Sequence, residues 1–297
     1  MKLRRLNENL EKSEVISWLR ENVVTYIKED QIDIIGDEVK INSRVSFKIK
    51  TIPNFKFSEI NGDVRVFNSE NLTDFSWMPR EIKGDFIITK CSILDFKGFP
   101  TKVDGLFEVV DCKGFKSFNG LKLHVTESIT FYNLPDLEFL DCYNVTFSKG
   151  GLLIKECPIK ILEGLPKMVN SDKCPWINIR KALIKDLVGL PSCVGYLYIS
   201  NCPNLESIEG IPFVVKNVEH DSAGDAIVIQ SRNEKVTKGY EIYLETIQKY
   251  PPEKEETRSQ YISRVYKDVP EMATFLTKEE IPTDFSGARL IKRLGGF

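Results

Sequence analysis

From residue 39 to residue 229 the chain repeats one cassette of 20 to 25 residues. The clearest copy, GDFIITKCSILDFKGFPTKVD at residues 84–104, returns as GLLIKECPIKILEGLPKMVN at residues 151–170. A unit this short cannot bury its own apolar face, so its copies must stack, and the expected architecture is a solenoid with a long, regular surface.

Aligning the copies brings one position into register. It is filled in turn by Ser69, Cys91, Cys112, Leu134, Cys157, Ala182 and Cys202, at steps of 22, 21, 22, 23, 25 and 20 residues. Three and five residues before this slot stand apolar pairs, among them Val66 and Val64, Ile88 and Phe86, Val109 and Phe107, and Ile154 and Leu152. Alternation with period two predicts short strands whose inward residues share a core. Several residues beyond the slot comes a turn phrase, Gly98-Phe99-Pro100, Gly164-Leu165-Pro166, Gly189-Leu190-Pro191 or Gly210-Ile211-Pro212, which reverses the chain without a full helix.

At these residues the chain resembles a leucine-rich repeat, L-x-x-L-x-L-x-x-N/C-x-L, with the slot at the N/C position. The phrases L-E-G-L-P and G-D-F, and WLRENVVTYI at residues 18–27 leading into IDIIGDEVKI, further resemble leucine-rich-repeat-like proteins encoded by large tailed bacteriophages. The resemblance covers residues 14–230 and implies a fold and an origin, with no catalytic motif to carry over. Leu134 and Ala182 depart from the pattern at the slot, Lys122 stands where proline is expected, and residues 170–176 read as an insertion. The expected fold is an α/β, β-rich, leucine-rich-repeat-like solenoid of about eight irregular coils with a parallel sheet. Residues 1–35 form an N-terminal segment with a capping helix, 36–230 the solenoid, and 231–297 a small C-terminal helical domain and tail.

Composition narrows the function classes. No apolar run approaches the roughly 20 residues of a membrane helix, and MKLRRLNENLEK lacks the apolar stretch of a secretory signal. The expected location is therefore the cytoplasm, which for a phage protein is that of the bacterial host, or a virion assembled there. With 41 basic and 43 acidic residues interspersed, the chain lacks the electrostatic footprint of a nucleic-acid binder. Only the end, GARLIKRLGGF with Arg289, Lys292 and Arg293, is locally basic, and it reads as a solvated or docking tail.

Seven cysteines raise metal and disulfide chemistry. Cys91, Cys112, Cys157 and Cys202 share the slot, which predicts small buried thiols stacked inside the solenoid. C-x-x-C is absent, and neither His124 nor His220 has ligand spacing to a cysteine, so no metal is expected. Cys91 and Cys112 fall in adjacent coils, near enough to be joined by oxidation, but an odd total without a signal favours a reducing compartment. No cofactor or catalytic residue is assigned. No phosphate-binding loop, dinucleotide fingerprint or H-E-x-x-H occurs, and neither cysteine nor histidine follows His220. His220-Asp221-Ser222 reads as a loop rather than a triad. Gly62-Asp63, Gly84-Asp85 and Gly224-Asp225 read as turns in which aspartate bonds nearby amides, rather than as calcium ligands.

Function then falls to the outward strand residues: Arg65 and Phe67, Ile87 and Thr89, Glu108 and Val110, Thr130 and Tyr132, Leu153 and Lys155, Asn178 and Arg180, Tyr198 and Ser200. A solvated face would be more polar than this. The candidate protein-binding residues are Arg65, Phe67, Ile87, Val110, Tyr132, Leu153, Arg180 and Tyr198. Cover by the chain's own terminal segments is the competing explanation for an apolar strip.

At the ends, Ser13 is the expected N-cap of a helix reaching about residue 29, with Val15, Ile16, Leu19, Val23, Tyr26 and Ile27 on one face. Tyr240, Tyr243, Leu244 and Ile247 predict a second helix closed by Pro251-Pro252, and Tyr261, Ile262, Val265 and Tyr266 a third. A further segment spans residues 270–278. These helices are candidates for oligomerisation or a second docking surface. The functional expectation is a non-enzymatic scaffold holding a host or phage protein. The alternatives are a structural virion component and an enzyme acting through C-terminal residues such as Glu241, Glu245 and Arg264.

Overall fold

The computed structural model describes residues 10–275, apart from 71, 73, 94–95, 170–173, 192, 213, 216–226, 252, 254–257 and 266. His220-Asp221-Ser222, Gly224-Asp225, Tyr266, the basic end with Arg289, Lys292 and Arg293, and part of the 170–176 insertion lie outside the described residues.

The chain winds as a β-solenoid of about seven turns, against the eight expected. One wall is a nine-stranded sheet of β3 (Val45–Phe47), β5 (Val64–Phe67), β7 (Phe86–Thr89), β9 (Phe107–Val110), β11 (Ile129–Tyr132), β13 (Gly151–Lys155), β15 (Trp176–Arg180), β17 (Tyr196–Ser200) and β19 (Ile227–Gln230). All its neighbours run parallel, and equivalent positions of the cassette face one another, as in Ile88 beside Val109 and Phe131 beside Ile154.

A second wall, absent from the sequence expectation, forms on the far side of each coil. It contains β1 (Ile32–Ile35), β2 (Glu38–Ile41), β4 (Lys56–Ile60), β6 (Glu81–Ile82), β8 (Lys102–Val103), β10 (Leu123–Val125), β12 (Val145–Phe147) and β14 (Lys167–Met168). Strands such as β8 and β14 begin just after turn phrases, and every neighbouring pair runs parallel except β1 with β2, which form an antiparallel hairpin. They are only two to five residues long, too short to declare themselves by alternation.

The turn phrases work through their glycines. Phe99 N–H donates to Phe96 O at 3.0 Å, and Gly98 between them has φ +73°, the left-handed conformation that the third residue of a type II turn requires. A second corner precedes the early strands of the large sheet. Asp63 Oδ1 accepts from Asp85 N–H at 3.1 Å, and Asp85 Oδ1 accepts from Leu106 N–H at 3.0 Å. Each aspartate thus ties its coil to the next, which is the turn role expected of the Gly-Asp pairs. A Cβ on Gly105 would meet Asp85 Oδ1 at 2.2 Å.

A third corner closes seven of the nine strands of the large sheet, the odd-numbered ones from β5 to β17. Asn68, Lys90, Asp111, Asn133, Glu156, Lys181 and Asn201, each one residue before the slot, have φ between +47° and +57°. The left-handed residue swings the chain inward, so the slot residue enters the core. Cys91, Cys112, Cys157 and Cys202 are all buried there. Their thiols donate to the carbonyl two residues back, at 3.3 Å for Cys91 and Cys112, 3.4 Å for Cys157 and 3.5 Å for Cys202. Burial pushes the Cys157 thiol up to about 11 and raises that of Cys202. The Cys112 thiol is raised by its hydrogen bond with Cys91 and then by burial. The hydrogen bond with Cys112 instead lowers the Cys91 thiol, while the raised thiols of Cys112, Cys157 and Cys202 serve as packing groups.

Between the walls runs an aromatic core. Phe118 stacks on Phe131 with ring centres 4.3 Å apart, and Phe99 meets Phe75, Phe86 and Phe107. At the first coil Trp18 of helix α1 (Lys12–Asn22) lies among Phe47, Phe55, Phe57 and Trp77.

Three expectations need correction. Helix α1 starts after Glu11, ends about seven residues early, and the Ser13 hydroxyl donates to the Glu11 carboxylate instead of accepting a backbone amide. Beyond it Val23 forms an isolated antiparallel bridge with Phe47 and Tyr26 is 83% exposed, because the free edge of β3 draws the backbone out of the helix. Second, Ser200 is buried; its register partners Arg180 and Gln230 have longer side chains that flank the small hydroxyl. Third, not all seven cysteines are thiols. Cys174 and Cys193 form a disulfide, with Cα atoms 5.8 Å apart, at odds with the reducing compartment expected from the cysteine count. Both lie outside the slot, at the place where the second wall breaks after β14. There β16 (Cys193–Val194) pairs with β18 (Val214–Val215) in a separate ribbon.

After β19 follow α2 (Glu234–Lys249), α3 (Arg258–Val265) and a 3-10 segment, Pro270–Phe275. The Tyr243 hydroxyl donates to Pro212 O at 2.8 Å and that of Tyr240 to Ile227 O, anchoring α2 on the final coil.

Candidate surface on the large sheet

The two walls present different outer faces. On the smaller sheet charges alternate in sign and close on one another. Lys40 pairs with Glu59 at 2.8 Å, Lys83 with Glu81 at 2.8 Å, and Lys102 with Asp104 at 2.8 Å. Lys83 and Glu81 hold each other charged, the hydrogen bond between them being the main reason that one titrates higher and the other lower than usual. Further along, His124 Nδ1 lies 2.9 Å from Thr146 Oγ1 and its Nε2 lies 3.0 Å from Ser148 Oγ. Along these strands much of the charge is paired within the face.

The large sheet is different. Arg65 is exposed, and Phe67, Ile87, Val110, Tyr132, Leu153, Arg180 and Tyr198 are all half-buried on the outer side. Each inward partner in these strands is buried in the core, so the outward strip follows the alternation read from sequence. The strand register sets Ile87 beside Arg65, Thr130 beside Glu108, and Tyr198 beside Asn178.

The face has two halves. Towards the N-terminus it carries Phe67, Ile87 and Val110 around Glu108, whose carboxyl is held above the usual glutamate range by burial first and by the charge of Asp85 second. Towards the C-terminus, Lys155 Nζ lies 4.5 Å from the ring centre of Tyr132 and Arg180 Cζ lies 4.6 Å from that of Tyr198. Cations over aromatic faces are attracted by the ring quadrupole, which fixes long side chains that would otherwise be mobile. Arg180 Nε also donates to Asn178 Oδ1 at 2.9 Å, and the Tyr198 hydroxyl donates to Gln230 Oε1 at 3.0 Å. Lys155 and Asn178 were not singled out as binding residues from sequence. Their signal lay in the register, which places Lys155 beside both Tyr132 and Arg180.

The residues named for a C-terminal enzyme sit in different surroundings. Glu241 and Glu245 are exposed on α2, whereas Arg264 donates to Pro251 O at 3.0 Å and faces Glu253 at 3.7 Å. Among the described residues, no three His, Cys, Asp or Glu side chains converge as a metal site would require, and no helix is long and apolar enough to cross a membrane. No family model, curated protein or solved structure matches the chain.

Proposed function

We propose that the chain is a non-enzymatic scaffold that binds a protein on the outer face of its large sheet. The contrast between the two walls carries this reading. The small sheet pairs several of its charges with one another, whereas the large sheet offers half-buried Phe67, Ile87, Val110, Tyr132, Leu153 and Tyr198 beside Lys155 and Arg180, which lie against tyrosine rings. Aromatic and aliphatic groups with arginine are what interface centres contain.

The reading extends to the architecture. The chain is a leucine-rich-repeat-like solenoid whose slot cysteines and Ser69 fill the N/C role by bonding backbone carbonyls. Helix α1 caps its first coil, and α2, α3 and the 3-10 segment form a helical unit on its last, available for self-association. The G-D-F and L-E-G-L-P phrases favour an origin in a large tailed bacteriophage, with action in the host cytoplasm or in the particle. Its partner is then a host protein or a neighbour in the virion.

The test compares immobilised wild type with the Tyr132→Glu/Tyr198→Glu variant against one host extract and one virion lysate, with quantitative mass spectrometry and a melting curve for each protein. Partners lost from the variant at unchanged melting temperature support the reading. Equal capture by both proteins overturns it. Stoichiometric copies in purified particles would replace host binding by the virion role.

A further inference from the structure

Lys155 and Arg180 are register partners in β13 and β15, so two cations occupy adjacent rungs about 4.8 Å apart at the backbone. Like charges placed side by side on a sheet repel. They lean in opposite directions, Lys155 onto Tyr132 in the preceding strand and Arg180 onto Tyr198 in the following one. Among the described residues, no carboxylate on the face lies within hydrogen-bond distance of either. Glu156, at the turn after β13, is 3.9 Å from Lys155 but 2.8 Å from Lys181, to which it is hydrogen-bonded. Asn178 engages Arg180 through Nε alone, leaving the guanidinium's terminal N–H groups as donors in a fixed plane.

We propose that this half of the face receives an extended acidic segment of the partner protein, with one carboxylate seated between Lys155 and Arg180 and apolar side chains laid along Leu153 and the tyrosines. The proposal rests on the protein-binding reading of the large sheet. An arginine held by an aromatic ring and an amide is set for a carboxylate, which it engages through paired N–H groups. A nucleic acid fits less well, because the Tyr132 and Tyr198 rings are already covered by cations and so offer no open stacking platform. Glu108, two strands away, would also oppose a phosphate chain running along the strip.

The experiment measures anisotropy of three dye-labelled probes with the full chain: a short peptide alternating leucine and glutamate, its glutamine counterpart, and an oligothymidylate. The glutamate peptide is expected to bind about tenfold more tightly than the glutamine peptide, with affinity falling as salt rises. Arg180→Gln and Lys155→Gln should each remove most of that preference, while Lys83→Gln on the opposite wall leaves it intact. Equal binding of the two peptides, no binding of either, or a preference that survives Arg180→Gln overturns the acidic-segment proposal. Tighter binding of the oligothymidylate overturns it in favour of nucleic acid. The capture comparison with Tyr132→Glu/Tyr198→Glu judges the face separately, so a partner lost there alongside a failed peptide result would leave the protein-binding reading standing without the acidic preference.

Discussion

The backbone N–H of Cys91 donates to the sulfur of Cys112 in the next coil, 3.4 Å away. One coil earlier the Ser69 hydroxyl accepts from Ile49 N–H at 2.8 Å. In these two coils the slot residue supplies a small, buried acceptor for a backbone amide of the neighbouring coil. Cys112→Ser should fold with nearly native stability, since serine already fills the role at residue 69. Cys112→Ala strands a buried amide and should cost about 1–3 kcal/mol more than the serine variant, read by urea unfolding. Equal stability of the two variants would mean that the slot selects for size alone.

Two turn glycines separate backbone conformation from crowding. Gly98 and Gly120 have φ of +73° and +83°, so alanine at either costs about 1–2 kcal/mol in the left-handed region. A Cβ on Gly98 would also fall 2.4 Å from the backbone of Ser76, whereas one on Gly120 meets nothing within 4 Å. Gly98→Ala should therefore lose more than Gly120→Ala, by about 1–3 kcal/mol of overpacking. Matching losses in denaturant unfolding would show that the coils move apart freely at this turn.

How far the sequence could be read follows from what repeats. The large sheet, its register and the outward strip were legible because apolar pairs recur at fixed distances from a slot, as in Phe107 and Val109 before Cys112. The second wall was hidden in pieces such as Lys102–Val103, where two residues pair only because neighbouring coils hold them in place. The left-handed corner had a signal that went unused: the residue before the slot is polar in every copy, and asparagine or aspartate in four, the types that best tolerate positive φ. Lys90, Glu156 and Lys181 take the same conformation against their preference, so stacking of the coils decides the backbone there. Helix α1 was read too long because Val23 and Ile27 keep helical spacing with Leu19, while the free edge of β3 outcompetes the helix for that backbone. The Cys174–Cys193 bond left no trace in a periodic reading because neither cysteine belongs to the period.

The cysteine inventory makes a stepwise count. All five free thiols are buried, and Cys174 and Cys193 are bonded to each other across 19 residues. The native chain should give almost no reaction with a thiol reagent, the denatured chain five equivalents, and the denatured, reduced chain seven. Closing a loop of this length stabilises by about 3 kcal/mol in the chain-entropy picture. Cys174→Ser/Cys193→Ser should accordingly melt earlier than wild type without reductant and alongside it after reduction. Seven equivalents before reduction would remove the disulfide.

Glu108 gives the large sheet a pH dependence of its own. Burial raises its carboxyl above the ordinary glutamate range, Asp85 adds to the effect, and Arg65 and Thr130 oppose it. The folded state thus binds this proton more tightly than the unfolded chain does. Stability from this group is fully present below the unfolded glutamate pKa and is lost as pH rises through the higher folded value. Glu108→Gln, which keeps the shape and lacks the charge, should melt above wild type at neutral pH, and its advantage should vanish once the medium is more acidic than the ordinary glutamate range. Paired melting curves across that range provide the check. An advantage of constant size at every pH would assign the effect to packing and leave the carboxylate charge without a part in it.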